Sequence, residues 1–369
     1  MNQVGKPVYG SNLIGRDKEI RLIKELILAG QSIVIIAPRR MGKTSLMMEL
    51  IRQLKGENFY TCNIDVFSTS NIASLSHRIT ESVFANNKLD QYFRQAVSNI
   101  ADAFSNIKFK SEIEDYNFIL EFNSKSKNAP FELLEDSLNL IDHYAAKNKK
   151  KILAAFDEFG DIKKLDGEHI VKLFRSVIQL QQNTTYLFSG SYESVMSELF
   201  VSKNSPFYRM TRIIELGNIN NQDFSIYLKR VFAENEIAID TNRISSILLF
   251  TKGHPYYTQL YAQELLINYK LSDNYVIASH EEILEQLLIV EKSFLESNWE
   301  DISKKRENKV VITAIAKGVV NIYSAIDNKK INIARAINNL KRQGLISQKD
   351  KSYALVDPLF NEWIIRNVS

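Results

Sequence analysis

The stretch Ser32-Ile33-Val34-Ile35-Ile36-Ala37-Pro38-Arg39-Arg40-Met41-Gly42-Lys43-Thr44-Ser45-Leu46-Met47-Met48-Glu49-Leu50 decides how the rest of the chain is read. Its first residues form a β-branched apolar run, the signature of a buried strand. Its last residues have the composition of a helix, and a short loop containing Gly42-Lys43-Thr44 joins the two. A loop in that position can wrap backbone N–H groups around a phosphate, and the following helix N-terminus adds its positive dipole. Set against the spacing G-x-x-x-x-G-K-[ST], only the first glycine is changed, to Ala37, which requires a backbone angle that alanine can adopt. Pro38, Arg39, Arg40, Met41, Gly42, Lys43, Thr44 and Ser45 are therefore expected to hold ATP. Lys43 would reach the β- and γ-phosphates, and Thr44 would ligate Mg2+.

Further apolar runs at Phe59 to Val66, Ile152 to Phe156, Thr185 to Ser189 and Arg212 to Leu216 alternate with helical stretches. This α/β pattern predicts a mostly parallel sheet covered on both faces. The run Ile152 to Phe156 ends in Asp157-Glu158, at the sheet edge where such folds bind ligands. Asp157 is expected to support the metal and Glu158 to act as catalytic base toward the water attacking the γ-phosphate; an ordinary strand end is the plainer alternative. The next run ends in Ser189-Gly190-Ser191, suited either to sensing that phosphate or simply to turning the chain. After Gly217, residues Gln222 to Glu236, Ile244 to Thr251, Tyr256 to Tyr269 and Glu281 to Asn298 read as helices with apolar residues three and four apart.

The 369 residues suggest more than one unit, and we divide the chain into residues 1–217, 218–300 and 301–369. No apolar run approaches the roughly 20 residues that span a bilayer. With one cysteine, Cys62, no internal disulfide is available and a Cys-rich zinc site is excluded. A cytoplasmic protein is expected. Net charge is +4, unevenly placed: residues 301–369 carry thirteen Lys and Arg against six Asp and Glu, so the remainder is net negative. The run Lys147 to Lys151 reads as a solvated helix end.

These motifs together resemble the archaeal-type ATPases of the STAND branch of the AAA+ superfamily, relatives of the origin-recognition ATPases. The resemblance rests on Leu13-Ile14-Gly15-Arg16, Pro38 to Thr44, Phe156-Asp157-Glu158-Phe159, Phe188 to Ser191, Pro206-Phe207-Tyr208-Arg209 and Gly253-His254-Pro255-Tyr256-Tyr257. It implies a P-loop NTPase sheet with an additional strand between the phosphate-loop and Asp-Glu strands, a helical lid and a C-terminal winged helix. It also implies that Ile14, Gly15 and Arg16 lie by the nucleotide; the plainer alternative is that Gly15-Arg16-Asp17 starts a helix with Asp17 as its cap. His254 and Pro255 would come from the lid. Arg209, or else Arg212, would stand near the γ-phosphate in cis or across a subunit interface; either is equally suited to a surface ion pair.

The segment Ile331 to Gln343 buries Ile333, Ile337 and Leu340 and turns Arg335, Asn338, Asn339 and Arg342 outward. That face suits duplex DNA, with Lys329, Lys330, Lys341, Lys349 and Lys351 near phosphates, and equally suits a protein partner. The expected activity is an ATP-hydrolysing switch controlling DNA or protein binding, or self-association. A non-hydrolysing ADP- or ATP-bound adaptor remains the alternative.

Overall fold

A computed structural model describes residues 4–87, 107–111, 118–122, 129–191, 193–272, 276–326, 331–349 and 352–368. Five strands, β1 (Ile33–Ile36), β2 (Tyr60–Asp65), β5 (Ile152–Asp157), β6 (Thr184–Gly190) and β7 (Arg212–Glu215), form a parallel sheet in the order β2-β5-β6-β1-β7. The expected additional strand is β6, which separates β1 from β5. A short antiparallel hairpin, β3 (Ile107–Ser111) with β4 (Phe118–Phe122), lies between β2 and β5 in sequence and had not been anticipated.

Alternation along the strands builds two cores. Ile33, Ile35, Leu153, Ala155 and Leu187 face helices α1 (Asp17–Leu28) and α2 (Lys43–Gly56). Val34, Ile36, Cys62, Ile64, Ala154, Phe156 and Phe188 face α3 (Ile72–Phe84), α4 (Ala129–Lys147) and α5 (Lys163–Ile178). On this second face Phe159 packs 4.4 Å from Phe188 and 5.8 Å from Phe207, ring centre to ring centre. These aromatics form a stiff floor directly behind Asp157 and Glu158. Helix α6 (Glu193–Phe200) closes this side.

The rest is helical: α7 (Asn221–Glu234), α8 (Thr241–Thr251), α9 (Pro255–Leu271), α10 (His280–Val290), α11 (Lys292–Ser303), α12 (Arg306–Ala316), α13 (Ile322–Ala325), α14 (Ile333–Arg342) and α15 (Pro358–Asn367). Strands β8 (Ile346–Lys349) and β9 (Ser352–Leu355) form a hairpin between the last two helices. One continuous apolar cluster runs from Ile219 and Phe224 through Leu287 and Leu295 to Leu340 and Ile364. The helices after the sheet therefore share a single core.

Two local expectations need correction, and one helix is added. Helix α1 begins at Asp17 with Arg16 at the N-cap, so Asp17 is not the cap. The single helix expected over Glu281 to Asn298 is two, meeting at Glu291, where φ is −93° and ψ is 6°. Helix α15, opened by the Asp357 cap and Pro358, had not been foreseen. The carboxylate of Asp357 accepts from the Phe360 backbone N–H at 2.8 Å, satisfying one of the free donors at that helix start.

Candidate functional site

The loop between β1 and α2 turns through two left-handed residues, Arg40 (φ 67°) and Gly42 (φ 86°), whereas Ala37 is not among the residues with positive φ. The replaced glycine is thus accommodated, and the strained position falls instead on Arg40. The Lys43 ammonium donates to the Ala37 and Pro38 carbonyls, each at 3.0 Å, which holds it in the mouth of its own loop. Ser45 accepts from the Val8 N–H at 3.0 Å, and Glu49 accepts from the Gly10 N–H at 2.8 Å. The N-terminal segment is thereby laid along α2. Arg52 bonds the same Glu49 carboxylate and holds its pKa down at about 2.

Strand β5 delivers Asp157 and Glu158 to the same edge. Asp157 accepts from the Thr44 hydroxyl at 2.7 Å and from the Ser189 hydroxyl, so the phosphate loop, β5 and β6 are joined through one carboxylate. Glu158 takes a left-handed conformation (φ 48°), which sends Phe159 into the core and leaves the Glu158 side chain at the cavity. A non-glycine residue there costs roughly 1 kcal/mol or more and persists only when its surroundings hold it. Its carboxylate accepts from the Ser191 N–H at 3.1 Å and the Ser191 hydroxyl at 2.8 Å.

A cavity of about 710 Å³ opens over this edge, lined by Arg39, Arg40, Gly42, Lys43, Thr44, Ser45, Asp157, Glu158 and Ser191. A divalent cation suits its donors: the Thr44 hydroxyl and the Asp157 carboxylate are hard oxygen ligands facing a space wide enough for phosphate and water. Among the described residues no three His, Cys, Asp or Glu side chains assemble into a metal-binding group, so most ligands would have to come from phosphate and solvent. Magnesium, which keeps several waters, fits that arrangement.

The remaining candidates are placed differently. Arg16 is 3% exposed, and its guanidinium donates to the Met41 carbonyl at 3.2 Å and the Gly217 carbonyl at 2.7 Å, tying the phosphate loop to the end of the sheet. Gly15 has φ 60°, and a Cβ there would lie 2.4 Å from the Ile219 side chain; a Cβ on Gly253 would lie 2.1 Å from the Ile219 carbonyl oxygen. Both glycines permit close packing against the segment around Ile219 that follows the sheet. Pro255 reaches the cavity as the first residue of α9. His254 is buried behind it, where burial first, and then the charge of Arg40, push its pKa down to about 4.

Ser189 is fully buried and bonds Asp157 instead of facing the cavity. Arg209 is exposed, takes a left-handed conformation, stacks on Tyr208 at 5.4 Å and is not among the cavity-lining residues; Arg212 is exposed at the start of the edge strand β7. Arg335, Asn338 and Arg342 are exposed on α14, as expected, whereas Asn339 is half-buried. Lys341 bonds Gln348 on the hairpin. Lys329, Lys330 and Lys351, and the side chain of Lys349, lie outside the described residues.

The sequence reading missed several cavity residues. Val4 to Val8 carry no periodic pattern, and their position follows from the bonds to α2. Asp65 ends β2 in register with Asp157, a signal that the strand pattern did offer. Phe67, 67% exposed, and Gln259 also line the space.

Residues 13–261 match a family profile described as an ATPase domain predominantly from Archaea. Among solved structures, the Walker-type ATPase PABY2304 of Pyrococcus abyssi is similar along 98% of this chain and 99% of its own, with a TM-score of 0.70 and 16% identity. The Aeropyrum pernix ORC1 protein, solved in complex with DNA, is similar along 97% of this chain and 94% of its own, with a TM-score of 0.51 and 11% identity. No curated protein sequence matches.

Proposed function

Since the chain belongs to the family of ATPase domains found predominantly in Archaea, we propose that it is an ATP-hydrolysing switch whose nucleotide state controls binding of duplex DNA or a protein partner. The observation that carries this reading is the convergence of Lys43, Thr44, Asp157 and Glu158 on one cavity at the carboxyl edge of the sheet. On binding, ATP takes the Lys43 ammonium from the Ala37 and Pro38 carbonyls and the loop N–H groups receive the β-phosphate. Thr44 and Asp157 would hold magnesium, which would supply positive charge against the negative charge developing on the phosphates. Glu158 orients the attacking water and accepts its proton.

Two hydrogen bonds from Ser191 engage one oxygen of the Glu158 carboxylate and restrain the side chain, leaving the other oxygen to face the water. That contact also favours a second reading, an adaptor that keeps its nucleotide and turns over little or not at all. Arg209 is exposed and away from the cavity lining, so a contribution from Arg209 would be made to the site of a neighbouring copy.

The lid comprises α7 to α11 and so ends at Ser303, just past the boundary at residue 300 read from the sequence; the terminal module after it has winged-helix order: α12, α13, α14, then the β8–β9 hairpin. Arg335, Asn338 and Arg342 on α14 form the surface offered to a major groove. A DNA complex is known for the A. pernix protein of similar fold. Among the described residues no helix is long and apolar enough to cross a membrane, which is compatible with residence in the cytoplasm.

The test is ATP turnover by the full chain with and without duplex DNA, together with a salt titration of DNA binding. DNA-stimulated turnover and binding that weakens steeply with salt support the DNA switch. Turnover without DNA binding moves the reading to a protein partner, and tight nucleotide binding without turnover moves it to the adaptor.

A further inference from the structure

Arg40 leaves the phosphate loop from a left-handed residue and reaches a pocket built by the lid. Its guanidinium lies 4.1 Å from the ring centre of Tyr256 and 4.4 Å from that of Phe294, and donates to one oxygen of Glu291 at 2.7 Å. The other Glu291 oxygen accepts from the Tyr256 hydroxyl at 2.5 Å. The Glu291 side chain is only 8% exposed, so its charge depends on Arg40 for compensation. Glu291 occupies the break between α10 and α11. There its carboxylate sits between the Tyr256 hydroxyl and the Arg40 guanidinium.

We infer that Glu291 is a positioning residue for the phosphate loop: it fixes Arg40 against the lid, and Arg40 serves the nucleotide by holding the loop and neutralising Glu291, not as a phosphate ligand. The inference rests on the nucleotide reading of the cavity. Both Arg40 and Tyr256 line that cavity. Without Arg40, a buried carboxylate would stand unpaired beside the space proposed for the triphosphate and repel it. The adjacent lid residue Tyr257 donates to Asp357 at the cap of α15. The first turn of α9 is thus bonded both to Glu291 and to the start of α15.

The test is a double-mutant cycle in the full chain with Arg40→Ala, Glu291→Gln and both together. MgATP affinity is read by titration. Loop-to-lid anchoring is read without nucleotide, as the distance distribution between spin labels on cysteines placed at the exposed positions Leu180 and Leu249. Arg40→Ala is expected to weaken MgATP by about tenfold, and adding Glu291→Gln to recover most of that loss, because it removes the unpaired charge. Each single substitution is expected to broaden the distance distribution, with no further change in the pair.

A double variant that binds MgATP as weakly as Arg40→Ala would make Arg40 a phosphate ligand and overturn the inference. Unchanged distances in both singles would also overturn it. If Arg40→Ala does not fold, Glu291→Gln alone decides through the distances, since the guanidinium it leaves without a carboxylate is 31% exposed and still lies over Tyr256 and Phe294. A parent protein that fails to bind MgATP would instead refute the nucleotide reading, while the distances still judge the loop-to-lid anchoring.

Discussion

The sheet and the helices that follow it store their chemistry in different ways. In the sheet, groups far apart in sequence reach one edge because parallel strands end there together: Thr44, Asp157 and Ser189 come from three different stretches of chain and share one carboxylate. After residue 218 the helices share a single apolar core, and their polar groups act where helices begin, break and meet, as Glu291 meets Arg40 and Tyr257 meets Asp357. Chemistry placed by topology needs only short local motifs. Chemistry placed by packing depends on where helices begin, break and cross.

The strongest way to break this contrast is through the two cores. Phe188→Ala, in the fully buried aromatic floor behind Glu158, should cost about 3–5 kcal/mol and abolish nucleotide binding along with the fold around it. Leu340→Ala, equally buried in the terminal module, should cost about 2–5 kcal/mol yet leave MgATP affinity near that of the parent. Denaturant unfolding and nucleotide titration on both variants check this. A similar loss of affinity in the two would mean that the halves do not act separately.

A smaller effect is expected at the loop itself. Lys43→Ala should weaken MgATP binding by about 10- to 100-fold, the range set by losing charge-assisted bonds to phosphate, without lowering the melting temperature of the nucleotide-free protein by more than a few degrees. Calorimetric titration reads the affinity.

The smallest effect sharpens the lid side. His254 has a pKa pushed below its ordinary value, to about 4, so its stabilising contribution is full above the unfolded value near 6.5 and is lost as pH falls toward 4. Burial raises Asp357 to about 6, which gives the opposite slope in part of that window. The measurement is therefore the stability difference between parent and His254→Gln at pH 7 and at pH 5. The advantage of the parent should shrink on acidification, and a constant difference would remove His254 as a titrating group.

How much was legible in the sequence follows from the same contrast. All five sheet strands were visible because each is a compact apolar run with turn signals beside it, and the phosphate loop and Asp157-Glu158 are contiguous. Glu291 was hidden. The apolar spacing of Leu284, Leu287, Leu288 and Leu295 continues across it as if through one helix, and nothing local marks the break. The placement of Val4 to Val8 over the cavity depends on Ser45 and Glu49 accepting backbone bonds from about forty residues away, which no periodicity encodes. Helix α15 was legible in principle, since Asp357-Pro358 is an N-cap followed by proline at the first helical position.

The most direct measurement is a single turnover of pre-bound MgATP by the parent and by Glu158→Gln, with bound ADP and ATP quantified after quenching. The amide keeps the shape of the side chain and loses the base, so the parent should convert its ATP while the variant retains it, with the hydrolysis rate lower by about 10²–10⁴-fold and ATP affinity essentially unchanged. Equal rates in the two proteins would contradict the assignment of Glu158 as the base, and failure of the parent to hydrolyse ATP at all would contradict the proposed activity.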